Sequence, residues 1–141
     1  MPKIPVDVIS LPTEFEPLDE TISYHTVCRS CKISDDTDKN GNYFLTGIKL
    51  EILEPEEWRG RSVYANYICI PQAPESGSSL ADRRRNDENG VALARFIKAF
   101  KIPYDAEGID PDDAVGCEGD VSARNEEYQG RKIPRVQDFL L

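Results

Sequence analysis

The sequence predicts a mainly β fold, a small five-stranded barrel with one helix between its third and fourth strands. Three observations carry this expectation. Five stretches rich in β-branched and aromatic residues are separated by turn-forming residues. One other stretch, residues 93–100, repeats its apolar side chains at helical spacing. The chain has 141 residues, 39% hydrophobic and 30% charged, which suits one core and gives no case for two. The expected division is an extended arm at residues 1–20 and one domain at 21–141, with a flexible loop at 71–89.

The arm holds Pro2, Pro5, Pro12 and Pro17, which remove backbone donors and disfavour helix. Whether it is ordered by itself or only against a partner is left open by the sequence. Strand one covers residues 22–33, with Val27, Cys31 and Ile33 on one face at period two. Residues 34–42 (SDDTDKNGN) form a turn in which Asn40-Gly41 is the strongest hairpin signal. Strand two, residues 43–53, places Phe44, Ile48, Leu50 and Ile52 on an apolar face and Tyr43, Gly47, Lys49 and Glu51 on the other. Residues 55–60 turn the chain into strand three, residues 62–70 (SVYANYICI), whose two faces are too alike to assign.

Residues 71–79 (PQAPESGSS) read as a flexible loop by composition. Leu93, Phe96, Ile97 and Phe100 recur at i, i+3, i+4 and i+7, the stripe of a helix of about three turns. That helix should start near residues 86–90 and end before Pro103. An earlier start at a capping box of Ser79 and Asp82 would place Gly90 mid-helix, costing about 1 kcal/mol relative to Ala. Strand four covers 115–124, a turn 125–130, and strand five 132–139. The order β-β-β-α-β-β is that of the oligonucleotide-binding (OB) barrel, whose helix plugs one end between strands three and four.

Charge is distributed unevenly. The net charge of −9 argues against a simple basic patch. Residues 1–20 sum to −4 and 103–141 to −6, yet 21–50 sum to +1 and 71–102 to +2, with 51–70 at −2. A basic groove on an acidic body is compatible with that pattern. The N-terminus lacks the basic and apolar regions of a signal peptide. No stretch approaches the roughly 18 apolar residues of a membrane span, so no membrane partner is expected. Cys28, Cys31, Cys69 and Cys117 read as reduced thiols of a protein that stays in the compartment where it is made.

An internal echo aligns residues 56–63 (EEWRGRSV) with 126–133 (EEYQGRKI). Each places an aromatic two residues before a turn glycine and an Arg just after it. Two ordinary hairpins with similar turn chemistry explain the echo as well as a shared ligand-binding role does.

The succession Asn40-Gly41-Asn42-Tyr43-Phe44-Leu45, Trp58-Arg59-Gly60-Arg61-Ser62-Val63, Ala94-Arg95-Phe96 and Val115-Gly116-Cys117-Glu118-Gly119-Asp120-Val121 resembles phage-encoded OB-fold single-stranded-DNA-binding proteins. It spans residues 24–136 in short motifs. The resemblance implies a non-enzymatic protein that coats single strands during phage DNA replication or recombination, in the cytoplasm of the host cell. Better-known members end in a long acidic tail that recruits other replication proteins. Here Gln137-Asp138-Phe139-Leu140-Leu141 has one acid, which puts tail-mediated recruitment of replication or recombination proteins in doubt. Whether copies associate as a homo-oligomer is not readable from the sequence.

Holding a single strand needs flat π surfaces for bases and cations for phosphates. The candidates are Trp58, Tyr128, Tyr43, Tyr64 and Tyr67 for stacking, and Arg29, Lys32, Lys49, Arg59, Arg61, Arg124, Arg131 and Lys132 for phosphates. About half of the tyrosines are expected in the core instead. Trp58 leads, because a hairpin tip is a poor place to bury an indole. Arg83, Arg84 and Arg85 form the densest positive cluster, either clamping a backbone or pairing with Asp82, Asp87 and Glu88 in solvent. Arg95, Lys98 and Lys101 read as a solvent-facing stripe.

Other chemistries fare worse. Cys28 and Cys31 have zinc half-site spacing, but an odd offset in a regular strand sends them to opposite faces. Residues 36–41 match half of an EF-hand loop, yet the twelfth position is Gly47 rather than Glu and the flanks are strands. Asp110, Asp112 and Asp113 beside Pro111 read as a turn. His25 is the only histidine, and no nucleophile motif or phosphate loop is present, so neither catalysis nor a cofactor is expected. The main rival to DNA binding is an acidic protein-interaction module or DNA mimic. If Lys49, Arg59, Arg61 and Arg131 converge beside aromatics, DNA is favoured; if they scatter, the rival is.

Overall fold

The computed structural model describes residues 3–72 and 79–141. Its strands are β1 (Ser23–Ile33), β2 (Tyr43–Glu54), β3 (Ser62–Tyr64), β4 (Ile68–Ile70), β5 (Glu118–Tyr128) and β6 (Arg131–Leu140). β1 pairs antiparallel with both β2 and β5, β2 with β3, and β5 with β6, while β3 runs parallel to β6. These pairings close a five-stranded mixed barrel of the OB type, with β4 paired to β2 beside the ring. Three helices follow β4: α1 (Leu80–Asn89), α2 (Val91–Phe100) and the single turn α3 (Pro111–Ala114). None is long and apolar enough to cross a membrane.

The barrel is filled by Tyr24, Cys28, Leu45, Ile48, Leu50, Ile52, Val63, Val121 and Ala123, all fully buried, and is plugged by α2. Phe96 and Phe100 of α2 meet Phe139 of β6, with ring centroids 5.1 and 6.0 Å away. The helix comes this close because of Gly119: a Cβ there would lie 2.6 Å from the Phe100 ring and 2.9 Å from the Ala99 carbonyl. Arg95 was expected in solvent. It turns back instead, donating from Nη2 to the Phe139 carbonyl at 2.9 Å, while Lys98 and Lys101 are exposed.

Several expected boundaries move, each for a physical reason. The helical region begins at Leu80 rather than at 86–90, because the Ser79 hydroxyl caps it by accepting from the Asp82 amide at 3.1 Å. Gly90, with αR dihedrals, is the junction between α1 and α2: its amide donates to the Asn86 carbonyl at 3.1 Å and its carbonyl accepts from the Ala94 amide at 3.0 Å. Residues 80–89, expected within a flexible loop at 71–89, are therefore helical; residues 73–78 of that loop lie outside the described residues. The expected turn at 125–130 shrinks to Gln129-Gly130, both at positive φ as a two-residue hairpin requires. Strands four and five lengthen accordingly to Tyr128 and from Arg131.

Two β-bulges correct the face assignments. In β2 the chain at Gly47 takes φ +60°, which advances the side-chain phase by one, so Leu45 points inward with Ile48, Leu50 and Ile52 while Phe44 is half-buried. The expected strand three breaks opposite this bend. β3 pairs with residues 49–51 of β2 and β4 with residues 43–45, and Tyr67 between them is 75% exposed. In β1 the inward residues are Tyr24, Thr26 and Cys28, and a register shift between Cys28 and Ser30 then brings Cys31 to the same core. Ile33, expected beside Val27 and Cys31 on a buried face, is exposed.

Cys28 and Cys31 thus share a side, contrary to the regular-strand expectation. Burial pushes their thiols up to about 11 and about 12, so both are protonated at neutral pH. Among the described residues no group of three or more His, Cys, Asp or Glu side chains is arranged to hold a metal ion. Asp38 of the β1–β2 loop accepts from the amides of Asn40 and Asn42 at 2.8 and 3.0 Å, stapling the turn.

At the β1–β5 seam, His25 Nδ1 lies 2.7 Å from Asp120 and Nε2 2.8 Å from Glu118. Both ring nitrogens donate only in the imidazolium, so these two hydrogen bonds raise the His25 pKa above its ordinary 6.5. A folded-state pKa above the unfolded value means the stabilisation is full below pH 6.5 and is lost as pH rises through the raised value. Wild type should therefore lose Tm relative to His25→Gln as pH is taken from 5.5 to 8, roughly the span on either side of that titration. A constant difference in Tm between the two proteins would contradict this.

Candidate nucleic-acid interface

Strand alternation sends every second side chain of β2, β3, β6 and β5 outward, and the ladder aligns four of them. Lys49 is opposite Tyr64, Tyr64 is in register with Arg135, and Arg135 is opposite Arg124. Their neighbours Leu50, Val63, Pro134, Val136 and Ala123 are buried, which fixes this row on the outer surface. Tyr64, Tyr67 and Arg135 line one cleft with Gly47, Ile48, Ala65 and Asn66. Lys32 of β1 flanks it, its stem 4.0 Å from where a Gly47 side chain would begin.

Two like charges directly opposite in a sheet repel, yet Arg124 and Arg135 occupy such a pair. Arg124 is relieved by Glu126 at 3.1 Å. The Arg135 Nε is buried without a hydrogen-bond partner among the described residues. An anion at this row would offset the repulsion between the two guanidinium groups. Arg135 was missed by the sequence reading, although its position between the inward residues Pro134 and Val136 was a usable signal.

The other expected residues divide into three groups. Arg61 and Trp58 are together, the guanidinium 5.7 Å from the ring centroid. Trp58 sits in a 3-10 turn (Glu56–Trp58) within the loop joining the antiparallel β2 and β3, but it is half-buried there, edge-on to Tyr24 at 6.4 Å. The two halves of the echo lie in hairpin connections of different length, since Tyr128 and Arg131 flank a two-residue turn, where Tyr128, Arg131 and Lys132 are exposed. Tyr43 is exposed at the start of β2, Arg29 is paired with Glu51 at 2.9 Å, and Arg59 is exposed. Arg83, Arg84 and Arg85 lie on α1, which packs against α2, buries none of its residues, and does not line the Tyr64 cleft. Arg85 pairs with Asp82 at 3.3 Å.

Of the four discriminating cations, Lys49 is beside Tyr64, Arg61 beside Trp58 and Arg131 beside Tyr128; Arg59 is beside none of the ring pairs above. The pairs holding Arg29, Arg61 and Arg124 are partly solvent-exposed, each worth at most about 1 kcal/mol, so phosphate can replace the carboxylates. No protein-family model matches the chain, and no curated protein matches it.

Proposed function

We infer that the protein binds single-stranded DNA along the outer face of β2, β3, β6 and β5. The observation that carries this reading is the row Lys49–Tyr64–Arg135–Arg124, one stacking surface set among cations on adjacent strands. Bases stack on Tyr64 and on the exposed Tyr67, and the backbone is neutralised by Lys49, Arg135 and Arg124. This reading assigns the face no catalytic role and no cofactor. The resemblance to phage single-strand-binding proteins supports a role in phage DNA replication or recombination in the host cytoplasm, with replication proteins and further copies of the chain as candidate partners.

Titration with oligo(dT) and a matched duplex at two salt concentrations tests this. Oligo(dT) should bind more tightly, with log K falling by about 0.7 per phosphate neutralised for each decade of salt. Equal or tighter duplex binding would overturn it. The acidic-module reading draws on the carboxylates Glu54, Glu57, Glu118 and Asp120 around His25, and it gains if neither nucleic acid binds.

A further inference from the structure

The arm lies against its own barrel. Leu18 is buried in the core, its amide donates to Asn125 Oδ1 and its carbonyl accepts from Asn125 Nδ2, both at 2.8 Å. Ahead of this anchor the chain runs over the aromatic and basic surface. The Phe15 ring meets Tyr64 edge-on, centroids 6.3 Å apart. Arg61 donates from Nη2 to the Glu16 carbonyl, and its Nη1 lies 3.5 Å from the Glu16 carboxylate. Phe15 also shares a cleft with Tyr128, Arg131 and Ile133.

We propose that residues 12–17 are a built-in competitor for the nucleic-acid face, which a single strand must displace in order to bind. The inference rests on the single-strand reading above and adds its regulation. Three features support it. Phe15 packs edge-on against Tyr64, on the ring where a base would stack, and Glu16 offers an anion to Arg61 as a phosphate would. The arm's charge of −4 over residues 1–20 has the sign of the ligand. Its hold is weak by construction, since Phe15 is 47% exposed and the Glu16 side chain 76%, whereas Leu18 stays fixed as a hinge. One aromatic contact and one exposed ion pair support a closed arm favoured by roughly 5- to 50-fold.

The test uses the full chain with Phe15→Ala and Glu16→Gln together, two exposed substitutions that leave Leu18 and the barrel in place. This double variant should bind oligo(dT) roughly 5- to 50-fold more tightly than wild type. In wild type, saturating oligo(dT) should accelerate cleavage after Glu14 by a glutamate-specific protease. Equal affinity of the two proteins, or a Glu14 bond cut no faster with oligo(dT) bound, overturns the competitor while the single-strand reading stands. If neither protein binds oligo(dT), both fall.

Discussion

Replacing Tyr64 by Ala should weaken oligo(dT) binding by roughly 5- to 150-fold, the 1–3 kcal/mol that one stacked base is typically worth. Tyr64 is the ring flanked in register by Lys49 and Arg135, so its loss removes the stacking surface and leaves the cations. Arg135→Ala should also weaken binding, and it should lower the slope of log K against log salt by about 0.7, the signature of one lost phosphate contact. Tyr64 also contacts Phe15, so the measurement belongs in both the wild-type and Phe15→Ala backgrounds. Unchanged affinity in the Phe15→Ala background, with the fold intact, would remove Tyr64 from the interface. Trp58→Ala should behave differently, lowering Tm in the absence of DNA, because its ring packs against Tyr24 and the core cluster.

Phe96→Ala should cost about 3–5 kcal/mol of folding stability. Phe96 is fully buried, 5.2 Å from Phe100 and 5.1 Å from Phe139 between ring centroids, at the point where α2 closes the barrel. Truncation would leave a cavity that three elements cannot collapse to fill, because Gly119 already holds α2 at contact distance from β5. Urea denaturation reads the effect as a lower midpoint at unchanged slope. Lys98→Ala, on the exposed face of the same helix, should stay within about 0.5 kcal/mol of wild type. A loss below about 1 kcal/mol for Phe96→Ala would mean that α2 is not an integral plug of the barrel.

The sequence by itself determined what is local. The helical stripe Leu93, Phe96, Ile97 and Phe100, the alternation of Ile48, Leu50 and Ile52, and the turn chemistry at 34–42 are periodicities of a few residues, and each appears in the fold. The order of elements followed from them, and with it the barrel. What the tertiary structure alone decided depends on residues distant in the chain. One extra residue at a bulge reverses every later side chain, so the fate of Leu45 and of Cys31 hung on the bends at Gly47 and after Cys28. The binding row exists only because β3 meets β6 in parallel, which sets Tyr64 beside a residue 71 positions later, Arg135. The arm reads as an unpaired proline-rich segment until Asn125, Arg61 and Tyr64 are brought beneath it by closure of the barrel. Periodicity encodes which face a residue takes, whereas cross-strand register and closure encode which residues share that face.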